Sequence, residues 1–420
     1  MFLFEELKWR NLIKDVSDEK QIETLLNEGK IAFYCGFDPT AISLTIGHLI
    51  QIVTISLLQK RGHHPFVLLG KATSLIGDPK EKEERKLLSL KDVSFNYEKI
   101  KDQLKKLLPK ENIDFVDNYE WISKIDVISF LRDYGKYFNV NYMISKDKIA
   151  KRLTKGISYT EFSYMILQSI DFHHLYKNHE VQLQLGGSDQ WGNITSGLEL
   201  IRKMESNNED KNTKKPLGMS MILLLDDKGN KIGKSDNNAV WLDQKLTTPY
   251  RIYQFFLNTE DKNVVSFLKR LTLLEVEEII KLEEMTQINP KARLAQKELA
   301  KQVVTLVHGS DVFQECLLTN DILFSKKTED LKIEDFTLIK KRLFSVEIDK
   351  PILLLDALVQ TKLADSKKKA KTLILSGAIK IFKKTIKEVD FYLDSEQTLF
   401  QKYILLTKKN KINALIIFRS

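Results

Sequence analysis

The stretch Ile31-Ala32-Phe33-Tyr34-Cys35-Gly36-Phe37-Asp38-Pro39-Thr40 carries the reading of this chain, with Thr45-Ile46-Gly47-His48 and the apolar run Leu49 to Lys60 that follow it. Ile31 to Gly36 reads as a short buried strand, Leu49 to Lys60 as a helix closed by Gly62, and Phe66-Val67-Leu68-Leu69-Gly70 as a second strand. Strand, helix and strand in quick succession predict a parallel right-handed crossover, the unit from which nucleotide-binding sheets are built. The loop from Asp38 to His48 then joins a strand end to a helix N-terminus. Orphan amides and the helix dipole favour phosphate there, and Gly47 lets a nucleotide approach the backbone.

At 420 residues the chain exceeds what one hydrophobic core usually supports, so roughly two to four domains are expected. With 43% apolar and 29% charged residues the composition is globular, which excludes disorder along the whole length. The net charge of +9 favours polyanionic partners without choosing among them. No segment reads as a membrane span, and Glu5 and Glu6 are unlike a signal peptide, so a cytoplasmic protein with no membrane partner is expected. Cys35 and Cys316 are the only cysteines; they suit a reducing compartment and offer no metal-ligand spacing.

Further along, Phe115-Val116-Asp117-Asn118 and Val181 to Leu185 read as strands, with helices over Leu87 to Leu108 and Tyr159 to Leu175. The α/β pattern persists to about Leu225. Beyond Pro249 the periodicity is helical over Asp261 to Leu271, Leu274 to Met285 and Lys291 to His308, broken at Asn289-Pro290. Lys326 to Lys341 is charged and mixed, and Pro351 to Ser420 is lysine-rich with strands. The expected division is 1–245, 246–325, a linker over 326–350, and 351–420.

A second phosphate-seeking element is Lys231-Ile232-Gly233-Lys234-Ser235, after the turn-forming Asp226 to Asn230. A basic loop alone is more often a solvated turn; paired with the helix entrance above, it gains weight. Tyr164, Gln168 and Asp171, spaced four and three apart, share one helix face. They line one pocket, or else Tyr164 is core and the other two meet solvent.

The two loops resemble the HIGH and KMSKS signatures of the class I aminoacyl-tRNA synthetases. The blocks Tyr34 to Thr40, Leu75-Ile76-Gly77-Asp78-Pro79, Glu161-Phe162-Ser163-Tyr164-Met165 and Gly186-Gly187-Ser188-Asp189-Gln190-Trp191-Gly192-Asn193 narrow the resemblance to the tyrosyl branch, over nearly the whole chain. The resemblance implies an α/β fold: a Rossmann-like parallel-sheet catalytic domain, an α-helical anticodon-binding domain and a small α+β RNA-binding domain. It implies that Tyr34 and Asp171 bind the phenol of L-tyrosine, that Asp78, Tyr164 and Gln168 hold its ammonium group, and that Gln190 lies near its carboxylate. Buried groups that expect a hydroxyl penalise phenylalanine by being left unpaired.

The same resemblance places Gly36, Asp38, Gly187 and Asp189 on the ribose and nucleotide of ATP, with Gly47, His48 and Ser235 also in the ATP site. Lys82, Arg85, Lys231 and Lys234 become the cations for the phosphates, Mg²⁺ accompanies those phosphates, and Thr40 offers a hydroxyl. Thr45 stands where the family usually has histidine. The loop Pro79 to Arg85 is one residue shorter than usual and lacks its glycine, so Lys80 and Lys82 are both candidates for one phosphate contact. The implied partners are tRNA(Tyr), tyrosine and a second copy in a homodimer, with Tyr134 to Tyr142 as interface or core.

Ser366 to Ile381 reads as a basic helix, a glycine stop and a strand, similar to a small RNA-binding fold; Phe382-Lys383 replaces the Asn-Gly turn common there. One alternative is a catalytically silent relative that binds RNA. Another is the tryptophanyl branch, which is not expected to set Asp171 opposite Tyr34.

Overall fold

The computed structural model describes residues 1–80, 84–153, 156–206, 214–225, 232, 239–409 and 411–419. The chain divides into two compact units, Met1–Ser235 with Val265–Lys281, and Asp236–Val264 with Leu282–Ser420.

The first unit is built on six strands: β1 (Ile13–Val16), β2 (Ala32–Phe37), β3 (His64–Leu69), β4 (Asp114–Asp117), β5 (Val181–Gly187) and β6 (Leu217–Met221). Their order is β1-β6-β5-β2-β3-β4, parallel throughout except that β1 runs antiparallel to β6. The strands after β2 continue outward on one side, and the chain then returns to lay β5 and β6 on the other. The strand order therefore reverses between β2 and β5, and ligands of open α/β sheets bind beyond the carboxyl ends at such a reversal.

The expected strand at Ile31 is β2, one residue later, and the helix Leu49–Lys60 lies where its apolar run predicts, with Gly62 at φ +92 after it. Strands β1 and β6 were not anticipated. Leu217-Gly218-Met219-Ser220-Met221 is wholly buried but has no β-branched residue, so its composition gives no strand signal.

The helix Tyr159–His179 starts at Ser158, whose hydroxyl accepts from Glu161 N at 3.3 Å, and ends at Glu180 with φ +53. It is buried on two sides. Phe172 and Leu175 pack with Tyr34, Phe66 and Leu68 of the sheet, while Met165, Ile166 and Ile170 pack with Met143, Ile149 and Leu200. Each such side chain contributes about 1.5–3 kcal/mol by burial, and packing on two sides fixes the rotation of the helix.

In the second unit the helix Pro249–Leu257 has Thr248 as its cap and proline at its first position. Helices Leu294–His308 and Ser310–Phe324 follow. The stretch 326–350, expected as a linker, instead contains the helix Ile333–Arg342 and the strand β7 (Phe344–Ile348). Lys332, Glu334, Lys340 and Lys341 are exposed, while Phe336 and Ile339 are fully buried and Arg342 turns inward to Glu315, a pattern the charge run conceals. The remaining strands are β8 (Ile352–Leu353), β9 (Ile379–Ile381), β10 (Lys384–Ile386), β11 (Tyr392–Leu393), β12 (Tyr403–Lys408) and β13 (Ile412–Phe418). One sheet has the order β10-β9-β12-β13-β7, with β7 parallel to β13, and β8 pairs with β11. Among the described residues no helix is long and apolar enough to cross a membrane.

Candidate active site

The carboxyl ends of β2 and β5 converge the predicted residues. Tyr34 projects from β2 into the layer under the helix Tyr159–His179, its ring 5.4 Å from that of Phe172. It is 2% exposed, and its hydroxyl has no hydrogen-bond partner among the described residues. Burial, then the nearby Asp171 carboxyl, push its phenol well above the usual value.

Asp171 is fully enclosed on the same side of the helix as Tyr164 and Gln168. Trp121 Nε1 donates to its Oδ1 at 2.8 Å and Asn118 Nδ2 to its Oδ2 at 3.0 Å. Burial pushes its carboxyl up to about 8, against the pull of those two donors. Asn118 is itself held at both ends: its amide also donates to Thr73 Oγ1 at 3.1 Å, and its Oδ1 accepts from Ala72 N at 2.8 Å.

Thr73 Oγ1 donates to Asp38 Oδ1 at 2.8 Å, and Tyr164 Oη donates to Asp38 Oδ2 at 2.8 Å. Burial raises Asp38 to about 6. One polar chain thus runs Tyr164, Asp38, Thr73, Asn118, Asp171, Trp121 along the floor of the site. Gly70 is required beside it, because a Cβ there would lie 2.0 Å from Asp38 Oδ1.

A second cluster gathers at Asn193. Its Nδ2 lies 3.1 Å from Gln168 Oε1 and 2.9 Å from Gln190 Oε1, and Gln190 Nε2 donates to Asp78 Oδ2 at 2.9 Å. Asp78, Gln168 and Gln190 are therefore brought together. Arg85 joins from the side, its Nε donating to the Asp78 carbonyl at 2.5 Å.

Gly36 is exposed on β2 and Gly187 ends β5. A Cβ on Gly187 would stand 2.7 Å from Asp189 Oδ1, so glycine is needed for Asp189 to keep its place. The exposed Thr40 follows a tight turn in which its N–H donates to the Asp38 carbonyl at 2.8 Å. At the helix entrance Thr45 is buried, with its N–H 3.0 Å and its hydroxyl 3.1 Å from His48 Nδ1. Its hydroxyl thus faces the imidazole beside it.

Gly47 matters for contact as well as freedom: a Cβ there would touch the Ile232 carbonyl at 3.4 Å, and Ile232 N donates to Leu224 O at 2.8 Å. Ile232 therefore lies at the helix entrance. Lys82, Lys231, Lys234 and Ser235 lie outside the described residues.

Four contributors escaped the sequence reading: Thr73, Asn118, Trp121 and Asn193. Asn118 and Asn193 sat in stretches already singled out, one ending a strand and one closing the glycine block, and polar residues at strand ends on the ligand side of a sheet are the available signal. Trp121 and Thr73 carried none.

Comparison with known proteins agrees with this architecture. Residues 26–324 match the family described as tRNA synthetases class I (W and Y), and residues 335–416 match the tyrosine–tRNA ligase SYY-like C-terminal domain. The chain is 57% identical over 419 residues to the tyrosine–tRNA ligase of Onion yellows phytoplasma (strain OY-M), covering 100% of both. It is 43% identical over 424 residues to tyrosine–tRNA ligase 1 of Bacillus subtilis (strain 168), covering 99% of each. Among solved structures, a C-terminally truncated mitochondrial tyrosyl-tRNA synthetase of Aspergillus nidulans superposes with a TM-score of 0.69 at 30% identity, over 77% of this chain and 94% of that one. Full-length identity of this order, with both family models matching in sequence order, shows that the chain belongs to the bacterial tyrosyl-tRNA synthetases of class I.

Proposed function

We propose that this chain activates L-tyrosine with ATP to tyrosyl-adenylate and pyrophosphate, and then transfers the tyrosyl group to the terminal ribose of tRNA(Tyr). The observation that carries this is the enclosed Tyr34 hydroxyl, without a partner among the described residues, beside the Asp171 carboxyl. A buried hydroxyl left unpaired costs about 1–3 kcal/mol, and a substrate phenol placed between Tyr34 and Asp171 relieves it.

In this reading the tyrosine ammonium meets Asp78, Tyr164 and Gln168, and Gln190 lies by the carboxylate. That carboxylate attacks the α-phosphorus of ATP in line, and no covalent enzyme intermediate is needed. Gly36, Asp38, Gly187 and Asp189 hold the ribose and nucleotide. ATP enters as substrate with Mg²⁺ on its phosphates, which settle at the Gly47-His48 helix entrance. Lys82, Arg85, Lys231 and Lys234, with Thr40 and Ser235, meet the charge that grows on the departing pyrophosphate. Thr45 has no charge to offer where the family usually has histidine, and its bond to His48 suits it to orienting that ring.

The proposal extends to the rest of the chain. Residues 246–325 bind the anticodon end of the tRNA, and the lysine-rich C-terminal module contacts its phosphates from a cytoplasmic enzyme. Val127, Ile128, Leu131 and Val140 are exposed large apolar residues around the Tyr134 to Tyr142 segment, and a patch of this kind supports a homodimer.

The test is tyrosine-dependent exchange of labelled pyrophosphate into ATP, with phenylalanine and tryptophan in parallel. Exchange with tyrosine alone is expected. Exchange with tryptophan instead would assign the tryptophanyl branch, and RNA binding without any exchange would make the chain a silent relative.

A further inference from the structure

Arg152 ends the helix Asp147–Arg152 and Glu161 lies in the first turn of the helix Tyr159–His179. Their side chains are 3% and 2% exposed, and Arg152 Nη2 lies 2.9 Å from Glu161 Oε2. Enclosing two charges is costly to desolvate, and an apolar pair of similar volume often stabilises a fold as well or better. What else the pair bonds is therefore informative. Arg152 Nη1 donates to the Lys80 carbonyl at 2.8 Å, and its Nε and Nη2 reach the Gly156 carbonyl at 3.3 and 3.1 Å. Glu161 Oε1 accepts the Arg85 N–H at 3.1 Å.

Arg85 is then steered into the site. Its side chain crosses Gly77, where φ is +84 and a Cβ would lie 2.6 Å from Arg85 Cδ, and its Nε donates to the Asp78 carbonyl. One partner of the ion pair thus holds Lys80 and the other holds Arg85, and both attachments are to backbone.

We propose that Arg152 and Glu161 are positioning residues for adenylate formation, fixing the backbone at Lys80 and Arg85 so that the Arg85 guanidinium stays beside the tyrosine and phosphate sites. The assignment rests on the reaction proposed above. Neither residue touches substrate; they act by anchoring the backbone of Lys80 and Arg85, and the Arg85 guanidinium must meet charge only in the transition state.

The test compares Arg152→Lys with the double variant Arg152→Met/Glu161→Leu. The first keeps the charge pair but lacks the planar fork that reaches two carbonyls. The second removes both charges together, so no unpaired ion remains buried to unfold the protein. Tyrosine-dependent pyrophosphate exchange gives kcat and KM for ATP, tryptophan fluorescence gives the tyrosine Kd, and melting reports the fold. The double variant is expected to melt within a few degrees of wild type, with kcat down roughly 10- to 100-fold and tyrosine Kd within about 3-fold. Arg152→Lys should fall between the two. Wild-type kcat in a folded double variant, or loss of tyrosine affinity in step with kcat, overturns the assignment. The wild-type protein in the same assay tests the reaction itself, so the two failures are told apart.

Discussion

The Tyr34 hydroxyl is held in a wall of apolar contacts with no protein acceptor among the described residues, so it gives the fold no hydrogen bond to offset its burial. Tyr34→Phe is accordingly expected to leave stability unchanged or raise it by about 1 kcal/mol, while tyrosine-over-phenylalanine preference in pyrophosphate exchange falls roughly 10-fold. Melting curves and the two exchange rates check this; a less stable variant with intact preference contradicts it. Asp171 gives a pH signature. Folded, its carboxyl keeps a proton to about pH 8, whereas unfolded it ionises near about 4. Between those values the native state binds the extra proton, so the contribution is full at the acid end and is lost as pH rises, at about 1.4 kcal/mol per pH unit. Asp171→Asn lacks that slope. Its stability relative to wild type should climb between about pH 5 and pH 8 in urea titrations, and parallel profiles would show that Asp171 is ionised throughout.

Among the elements, the hairpin joining β9 to β10 breaks a local rule. Its two turn residues, Phe382 and Lys383, have φ +43 and +71, where glycine or asparagine is preferred. Left-handed backbone costs a residue with a side chain about 1–2 kcal/mol. The offset is tertiary: the Phe382 ring meets Phe336 edge-on at 6.4 Å, its carbonyl accepts from Thr328 Oγ1 at 3.3 Å, and Lys383 Nζ donates to Lys326 O at 2.5 Å. Phe382→Ala should therefore destabilise the second unit by about 1–2 kcal/mol. Lys383→Gly should stabilise it by up to about 1 kcal/mol, since an exposed lysine contact is worth less than the strain it accompanies. Thermal denaturation reads both, and a Lys383→Gly loss would reverse that ranking.

At the level of the whole chain, the described pocket residues all lie in the first unit, while the lysine-rich module closes its sheet with β7, from before residue 350. A truncation at Lys350 would strip β7 of β13, its parallel partner, and leave an open edge. Ending the chain after the helix Ser310–Phe324 avoids this. Such a protein is expected to keep tyrosine-dependent exchange within about 3-fold and to lose tRNA charging by 100-fold or more at moderate salt, roughly the loss that removing several phosphate contacts brings. Unchanged charging would remove the RNA-binding role of the C-terminal module.

The kinds of residue in the site, and their order, are legible in the amino-acid sequence. Strand, loop and helix follow from apolar runs, and Tyr164, Gln168 and Asp171 fall on one face because helical spacing alone puts them there. Local periodicity reaches only a few residues, however, and the contacts that organise the pocket do not. Tyr164 meets Asp38 across 126 positions, Asn118 and Trp121 meet Asp171 across 53 and 50, and Lys80 bonds Arg152 across 72. Those pairings depend on how the helix Tyr159–His179 is rotated between its two apolar contacts and on which strands flank β2, and both are outcomes of packing summed over the whole unit. The misread linker has the same origin: charge along the chain shows what faces water, but whether Phe336 has a partner to bury against is settled only when Tyr403, 4.6 Å away and nearly parallel, arrives from later in the chain.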